Sequence, residues 1–450
     1  MTEPEIAVVI LEHNRARYLE ILLAKLAEQD IEVTRFRVIV VDNGSAVPLR
    51  PIVDSYSSRL RIEWVRINRP RSIAVAKNMG IDRTTEALVL VLDGDVLPGR
   101  DLVRRHLAVL SAPDAAVSIG TRREGRAVDP GAGQPPGTPM VTYGLLQRAA
   151  ETDVRLPLVE QQIIQDNFDR LGYYFLYGHN FALRREFLIA SGGFDETLEG
   201  WGLEDVELGF RIRLALPDGY LMKWSPQAAV SHIPHLRRVC DNLHDMELNK
   251  QKALETHRSF HWEGRYRVSG LLECSRILLL EKLADHLRDT QSVPVDVSAV
   301  KLWLDRGGGS GSSYLISTGR VCGWDPILDR NRSALVTWRD RSESSFSGLQ
   351  LPVADRSLAN LINVDVWRVL PWWHVSEALE EALRVARNVV FVATARHDRT
   401  VGELDPSSSV LRAPRFVEEA EWLVTALREF GFVPQVMRTG EVMAVCVGNG

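Results

Sequence analysis

The chain begins with the apolar run Ile6-Ala7-Val8-Val9-Ile10-Leu11, followed by helical spacing over residues 18–27 and a second apolar run over residues 38–41. Two apolar runs that flank a helix are typical of a β-α-β unit with a buried parallel sheet. Further strands are predicted over residues 61–65, 87–92 and 115–119, and further helices over residues 73–81 and 102–110. This alternation predicts a doubly wound α/β domain.

The length of 450 residues predicts two or three domains. We expect an N-terminal α/β domain over residues 1–240, a charged helical connection over residues 241–299 and a second, Rossmann-like α/β domain over residues 300–450. In the last part, strands are predicted at residues 301–304, 321–324, 361–364, 389–393 and 442–447, and helices at residues 376–387 and 417–430. A stretch rich in proline and glycine, residues 129–139, is predicted to form a surface loop.

The composition is that of an ordinary globular protein, with 45% hydrophobic and 25% charged residues. The net charge is −5, from 54 basic and 59 acidic residues, and there is no long basic run, so we expect no nucleic-acid partner. The four cysteines are far apart, which argues against a disulfide framework or a thiolate zinc site and favours a reducing compartment. The sequence has neither a signal-peptide pattern nor an apolar run of membrane-spanning length, and we expect a cytoplasmic protein.

Two acidic residues, Asp93 and Asp95, follow the apolar run over residues 88–92 and are separated by Gly94. Residues i and i+2 of an extended chain face the same way, so both carboxylates can lie at the carboxyl end of a strand, where open α/β sheets bind ligands. Close carboxylates repel each other unless a cation lies between them, and their hard oxygen atoms suit Mg²⁺ or Mn²⁺. The alternative is an Asp-Gly hairpin turn, although the residues that follow do not resemble a returning strand.

Acidic residues also mark a predicted helix whose apolar spacing covers residues 203–214, because Glu204 and Asp205 stand in its first turn. The helix dipole favours acids at this end, which is a sufficient structural reason for their presence. The same dipole lowers a carboxylate pKa and keeps the group able to accept a proton. Adjacent helical residues point about 100° apart, so if one of the two is a base, the other binds or braces.

Two further segments have both a functional and a structural interpretation. Asp42 ends the second predicted strand as Asp93 ends a later one, but a helix cap or an Asx turn is the preferred explanation when Asp42 is taken alone. His232 and His235 follow the apolar run over residues 228–230, and each could bind a metal ion. Two surface histidines at the end of a strand are the alternative.

In this order and spacing, the motifs make the first 240 residues resemble the GT-A fold glycosyltransferases of the large family-2 type. The later half of this part is similar to a galactosyltransferase-type module. The segments that carry the resemblance are His13-Asn14-Arg15, Asp42, Ala76-Lys77-Asn78-Met79-Gly80, Asp93-Gly94-Asp95, Gly178-His179-Asn180, Gly192-Gly193-Phe194-Asp195 and Trp201-Gly202-Leu203-Glu204-Asp205. The resemblance implies a metal-dependent, inverting transfer of a sugar from a nucleoside diphosphate sugar, with UDP as the expected nucleotide, to an acceptor hydroxyl.

The resemblance also implies roles for single residues. It assigns Mn²⁺ or Mg²⁺ to Asp93, Asp95 and His232, with His235 as the second choice; the donor to Asp42, Lys77, Asn78, Asp93 and Gly94; the acceptor to Trp201, His179 and Asn180; and catalysis to Asp205, as general base, and Glu204. Lys77 departs from the arginine that is usual at its position, which keeps the charge but loses a two-pronged contact to phosphate.

The C-terminal part contains Asp305-Arg306-Gly307-Gly308-Gly309-Ser310-Gly311, a glycine turn that allows a nucleotide-like ligand to approach the backbone closely. With Gly323-Trp324-Asp325-Pro326 and Leu351-Pro352-Val353-Ala354-Asp355, this part resembles the class I S-adenosylmethionine methyltransferases. No acid stands at residues 347–350, where that family contacts adenosine, and the segment after Gly311 is short for a helix. We therefore expect a degenerate domain that serves acceptor binding or dimerisation and does not bind S-adenosylmethionine.

Three alternatives to this function stay open on the sequence. They are a retaining transferase on the same fold, a bifunctional glycosyltransferase and methyltransferase, and a non-catalytic sugar-binding scaffold. The sequence also leaves homo-oligomerisation, the donor sugar and the acceptor undetermined.

Overall fold

The computed structural model describes residues 5–123, 153–233, 239–257, 259–266, 269–290, 294–295, 302, 313–317, 320–321, 334–337, 348–370, 372–395 and 416–448. The chain divides into two compact units, Met1–Asn249 and Lys250–Gly450. The division into three parts at residues 240 and 299 stays a prediction. The predicted surface loop at residues 129–139 lies outside the described residues.

The first unit is built on an eight-stranded sheet in the order β3-β2-β1-β4-β7-β6-β8-β5. Its strands are β1 (Ile6–Glu12), β2 (Phe36–Asn43), β3 (Ile62–Ile67), β4 (Leu88–Asp93), β5 (Val96–Pro98), β6 (Ala115–Arg123), β7 (Asn180–Arg184) and β8 (Leu221–His232). The four strands from β3 to β4 are parallel, as the continuous apolar runs predict. Strand β7 then pairs antiparallel with both β4 and β6.

The expected doubly wound parallel sheet is therefore realised only in the N-terminal half of the unit, and the whole sheet is mixed. Strand β5, which follows Asp95 directly, pairs antiparallel with β8 and not with β4. Residues 93–95 are thus not the turn of a simple hairpin, although a short strand does follow them.

The helices of the first unit cover the sheet with apolar stripes. They are α1 (Ala16–Leu26), α2 (Arg50–Ser55), α3 (Ile73–Ile81), α4 (Leu102–Leu110), α5 (Leu156–Val159), α6 (Gln162–Gln165), α7 (Phe168–Leu171), α8 (Arg185–Ala190) and α9 (Glu204–Ala215). Helix α1 shows why they form: Leu19, Leu22, Leu23 and Leu26 recur at helical spacing and all four are buried. They pack into one core with strand residues such as Val38.

The second unit contains a mixed six-stranded sheet in the order β12-β10-β13-β14-β16-β15, and β9 and β11 form a separate parallel pair. The helices from the end of the first unit onward are α10 (Val239–His257), α11 (Phe260–Glu263), α12 (Leu271–Thr290), α13 (Trp372–Val385) and α14 (Phe416–Glu429). The strands are β9 (Pro294–Val295), β10 (Ser313–Ser317), β11 (Arg320–Val321), β12 (Ala334–Thr337), β13 (Leu358–Val364), β14 (Ala386–Thr394), β15 (Gln435–Thr439) and β16 (Val442–Gly448).

This second sheet does not show the expected second Rossmann-like domain. Its last two strands run against their neighbours, because β16 is antiparallel to both β14 and β15. The sequence missed strands β10, β12 and β15, and the glycine turn at residues 305–311, which carried the methyltransferase resemblance, lies outside the described residues. Among the described helices, none combines the length and apolarity that crossing a bilayer requires.

Candidate active site

The predicted metal residues meet at one edge of the first sheet, where several strands end. Asp93 ends β4 beside Leu11 of β1, and His232 ends β8 opposite Val96 of β5. The backbone N–H of Ile233 also donates to the carbonyl oxygen of Asp95, 2.8 Å away. The end of β8 is therefore fastened to the Asp-Gly-Asp turn, although the two segments are far apart in the sequence.

Asp95 and His232, two of the predicted metal ligands, lie near each other. Nε2 of His232 lies 3.7 Å from Oδ2 of Asp95, and both residues are buried. Nη1 of Arg15 donates to the same Asp95 oxygen at 2.7 Å. A carboxylate oxygen and an imidazole nitrogen are ligands that Mn²⁺ accepts, so the pair fits a divalent cation.

Asp93 lies beside a different residue, Lys77. Its Oδ1 atom lies 3.7 Å from Nζ of Lys77, and its side chain is 37% exposed. Within the described ranges, no three His, Cys, Asp or Glu side chains are gathered to hold a metal ion. The expected binding of a metal ion by Asp93, Asp95 and His232 together therefore stays a prediction. His235 lies outside the described residues.

A further acid, Glu12, lies beneath the Asp-Gly-Asp turn and was missed by the sequence analysis. It is 3% exposed, and its Oε1 accepts the N–H of His13 at 2.8 Å, while Oε2 has no partner among the described residues. Burial raises the pKa of Glu12 to about 8. A Cβ atom on Gly94 would stand 2.0 Å from Oε2 of Glu12 and 2.9 Å from the carbonyl oxygen of Leu11, so a side chain at position 94 would have to displace its surroundings. An acid that ends a buried first strand was the available signal.

Lys77, on helix α3, is the electrostatic centre of the site. Its side chain is 2% exposed, and its Nζ atom lies 3.5 Å from Oε1 of Glu204. Burial lowers the pKa of Lys77, but the negative charges of Asp93, Glu204 and Asp205 outweigh it and raise the pKa above its usual value. The group is therefore a buried cation held by carboxylates. A Cβ atom on Gly178 would stand 2.3 Å from Nζ, so the backbone approaches the ammonium closely.

The two predicted catalytic acids begin helix α9 after a left-handed turn. Gly202 has φ +96° and Leu203 has φ +72°, which turns the chain so that Glu204 and Asp205 face Lys77. Oδ2 of Asp205 accepts the N–H of Gly178 at 2.6 Å. This bond joins the start of α9 to the loop that precedes β7.

The expected lowering of the carboxyl pKa by the helix dipole is wrong at both positions. Burial raises the pKa of Glu204 to about 7, and the neighbouring charge of Asp205 acts in the same direction. Burial also raises the pKa of Asp205, although Lys77 and the N–H groups of Gly178 and Val206 oppose it. The cost of removing the carboxylates from water exceeds the favourable charge at the helix end.

Asn78 holds the Gly-Gly-Phe-Asp segment against helix α3. Its Oδ1 accepts the N–H of Phe194 at 2.8 Å, and its Nδ2 donates to the carbonyl oxygen of Phe194 at 2.9 Å and to Glu196 at 3.0 Å. All the polar atoms of the side chain are engaged by the protein. The expected donor contact of Asn78 stays a prediction, and its visible role is to fix the segment that leads into Trp201.

Trp201 is 39% exposed at the entrance to helix α9. The backbone N–H of Trp201 donates to Oδ2 of Asp245 at 3.1 Å. Nδ2 of Asn249 donates to the carbonyl oxygens of Glu199 and Gly202. Two residues of helix α10 thus position the loop that carries the indole. The sequence did not indicate either of them, because the contacts join segments more than 40 residues apart.

Two of the predicted ligand contacts are occupied by the fold itself. Asp42 has no exposed surface, and its carboxylate accepts hydrogen bonds from the N–H groups of Ser45 and Leu49 and from Arg66. The bond to Ser45 is of the kind expected from the Asx turn that was the alternative interpretation of Asp42. Asn180 also has no exposed surface, because its amide bonds the carbonyl oxygens of Thr121 and Ala228 and the ring of His106. Both side chains are thus bound by the protein itself, and the expected nucleobase contact of Asp42 and acceptor contact of Asn180 stay predictions.

His179 is buried as well, with 4% of its surface exposed. Its Nε2 lies 3.1 Å from Nη2 of Arg155, and its ring meets that of Tyr177 edge to face. Burial lowers the pKa of His179 well below its usual range, and the positive charge of Arg155 acts in the same direction. The imidazole is therefore neutral.

Comparison with known proteins identifies the chemistry of this unit. Residues 7–191 match the family model for glycosyl transferase family 2, and residues 163–235 match the model described as the N-terminal domain of galactosyltransferase. A validoxylamine A glucosyltransferase of Streptomyces hygroscopicus subsp. jinggangensis is 29% identical over 423 residues, which cover 86% of this chain and 96% of that protein.

Two further similarities are confined to part of the chain. A hyaluronan synthase of Pasteurella multocida is 31% identical over 219 residues, covering 46% of this chain and 22% of that protein. A solved mannosyltransferase of Pyrobaculum calidifontis, in complex with GDP-Man and Mn²⁺, has a TM-score of 0.40 at 17% identity and covers 68% of this chain and 81% of that chain. From the family models and the glucosyltransferase relative, the first unit is a GT-A type α/β domain, and the chain is a nucleotide-sugar-dependent glycosyltransferase.

Proposed function

We propose that this glycosyltransferase moves a hexose from a nucleoside diphosphate sugar, with UDP as the nucleotide, to an acceptor hydroxyl with inversion at the anomeric carbon. The observation that carries the proposal is the joint arrangement of Lys77, Glu204 and Asp205 with the Asp-Gly-Asp turn. A buried cation, two carboxyls of raised pKa and a predicted cation site lie together where open α/β sheets bind ligands.

On the donor side, Asp95 and His232 would hold Mn²⁺ or Mg²⁺. A bound cation supplies positive charge to the leaving diphosphate. Lys77 adds a fixed positive charge within 3.7 Å of Asp93, and its burial strengthens that charge because water screens it little. Arg15 orients the Asp95 carboxylate through its 2.7 Å bond. These residues stabilise negative charge as it develops on the leaving group.

On the acceptor side, Asp205 would act as the general base. In the transfer step the acceptor oxygen forms a bond to the anomeric carbon, the bond from that carbon to the phosphate oxygen breaks, and the hydroxyl proton passes to Asp205. Its raised pKa makes the carboxylate a stronger base, and the N–H of Gly178 orients it. The exposed indole of Trp201 would bind the apolar face of the acceptor, and Glu204 would brace the Lys77 ammonium.

For the sugar and the acceptor, we propose a glucosyl group and a small polyhydroxylated molecule. The support is the validoxylamine A glucosyltransferase, whose similarity extends over 86% of this chain and so reaches both units. The similarity to the hyaluronan synthase covers 46% of this chain. A small-molecule acceptor is therefore preferred to a growing polysaccharide.

The proposed transfer is tested by incubating the full chain with a panel of nucleotide sugars, Mn²⁺ and small polyol acceptors. Release of nucleotide together with a glycosylated product is expected, and the anomeric configuration by NMR separates inversion from retention. No binding and no turnover with any donor would favour the scaffold alternative.

The two matched family models end at residue 235, so they give the methyltransferase resemblance of the second unit no support, and we propose no methyl transfer. Calorimetric titration with S-adenosylmethionine decides this point. Tight binding would favour the bifunctional alternative, whereas an absence of heat supports a degenerate domain.

A further inference from the structure

We propose that Arg155 fixes His179 in the tautomer that carries its proton on Nδ1, and that this N–H is a neutral hydrogen-bond donor to a diphosphate oxygen of the sugar donor. The inference rests on the proposed nucleotide-sugar function and deepens it. It moves His179 from the acceptor side, where the sequence placed it, to the donor side.

The Arg155 guanidinium is held in one orientation by its surroundings. It is 2% exposed and lies between the rings of Tyr177 and Trp224, at 4.8 and 4.7 Å from their centres. Its nitrogen atoms also donate to both carboxylate oxygens of Asp153 and to the carbonyl oxygens of Gly120 and Phe175. The bonds hold the fork, and the two rings hold its plane.

The fixed guanidinium determines which ring nitrogen of His179 is unprotonated. A guanidinium has only donors, so Nε2 of His179, 3.1 Å from Nη2 of Arg155, can only accept there. Because the two N–H groups of Nη2 also reach Gly120 and Asp153, the bond to His179 shares one of them. In a neutral imidazole the other nitrogen then carries the proton. A protonated ring would set two donors against each other, and burial together with the Arg155 charge disfavours it. The Nδ1–H group has no hydrogen-bond partner among the described residues.

The residue next to His179 belongs to the catalytic arrangement. Gly178, the preceding residue, gives its N–H to Asp205 and lies against Nζ of Lys77. The positive charge of Lys77 is near enough to lower the pKa of His179. An anionic oxygen is the group that such surroundings attract, and the diphosphate is the anionic part of the proposed donor.

A donor that stays neutral has a specific use in this position. Lys77 and a bound cation already supply charge, and another cation would repel both. A neutral N–H instead orients the phosphate oxygen and strengthens its bond as negative charge develops there. The structure builds this donor into the site before any ligand arrives.

The tautomer is tested directly by two-bond ¹H–¹⁵N correlation spectra of the full chain labelled with ¹⁵N-histidine, with His179→Asn assigning the signal. The expected pattern between pH 6 and 8 is a protonated Nδ1 and a bare Nε2. Arg155→Gln should shift His179 toward the other tautomer, whereas Arg50→Gln, at an exposed arginine, should not. A proton on Nε2 in the parent chain would overturn the proposal.

Because Arg155→Gln removes a buried charge and can impair folding, the ligand contact is tested at His179 itself. The amide nitrogen of Asn stands close to the Nδ1 position and that of Gln close to the Nε2 position. His179→Asn should keep the affinity for UDP with Mn²⁺, measured by calorimetry, within about threefold of the parent, and His179→Gln should lose about 10- to 100-fold, the loss typical of one hydrogen bond to a charged group. Equal affinity of the two variants would overturn the contact.

The two proposals fail in different ways. The Nδ1–H pattern together with no turnover on any nucleotide sugar would count against the proposed function and leave the tautomer standing. Turnover with a proton on Nε2 would leave the function standing and reject the tautomer.

Discussion

The Nζ atom of Lys77 lies 3.5 Å from Oε1 of Glu204, and the two residues are 127 positions apart in the chain. Lys77 stands on helix α3 of the parallel half of the sheet, and Glu204 begins helix α9. The pair therefore joins the part of the domain that resembles a nucleotide-binding fold to the part that carries the proposed base. Both side chains are buried, so the ion pair is screened little by water.

Lys77→Met should destabilise the fold markedly. Removing one member of a buried ion pair leaves the other charge without compensation, which costs about 3–5 kcal/mol. Urea unfolding of the two proteins gives the difference in free energy. The control is Asp54→Asn, which breaks an exposed pair and should change stability by at most about 1 kcal/mol. An equally small loss at Lys77 would contradict the central role of the pair.

Asp205→Asn should retain donor binding and lose transfer. An amide cannot take the acceptor proton, so turnover is expected to fall by about 10²–10⁴-fold while the affinity for UDP with Mn²⁺ stays within about threefold. Glu204→Gln should act mainly on the acceptor KM. A near-parental turnover of Asp205→Asn would reduce this carboxylate to a brace for Gly178.

Asp95→Asn should remove most of the metal-dependent donor affinity while preserving the fold, because the amide has the shape of the carboxylate without its charge. A chelator added to the parent should have the same effect. Calorimetry of UDP binding with and without Mn²⁺ measures both changes, with Asp54→Asn as the matched exposed variant. If the Asp95 variant still responds to Mn²⁺ like the parent, the cation binds elsewhere.

Glu204 should make the stability fall as the pH rises. Its pKa is raised to about 7 in the folded chain from an ordinary value of 4.5, so the unfolded chain releases this proton first. The stabilising contribution is complete below pH 4.5 and is lost as the pH rises through about 7. Melting temperatures at pH 5 and pH 8 should therefore differ less for Glu204→Gln than for the parent. An unchanged difference would show that this carboxyl does not titrate in that range.

The sequence predicted those elements whose signal is local. Helices over residues 73–81 and 102–110 have the predicted bounds, because neighbouring residues in the sequence determine their apolar spacing and their ends. The antiparallel placement of β7 was not predictable in this way, since it depends on pairing with two strands, β4 and β6, that are distant in the sequence.

The same distinction applies to the site. Asp93, Asp95, Glu204 and Asp205 were found because they stand in short motifs. Arg155, Asp245 and Asn249 were missed because the contacts that give them their place in the site join distant segments. Glu12 was missed although its position at the end of a buried strand is a local signal. Asn180 stands inside a motif, but its amide is bonded to the protein, so its expected acceptor contact stays a prediction.

The close approach of Glu12 to Gly94 makes the residue tolerated at position 94 depend on the residue at position 12. A Cβ atom at position 94 would stand 2.0 Å from the Glu12 carboxyl oxygen and 2.9 Å from the carbonyl oxygen of Leu11, so a substitution at Gly94 would meet both a side chain and the backbone of β1. A lineage in which Glu12 is shortened first would remove the first obstacle and keep the second. Alanine at position 94 is therefore eased only in part by a change at position 12, and glycine is the residue that evolution can retain there with either neighbour.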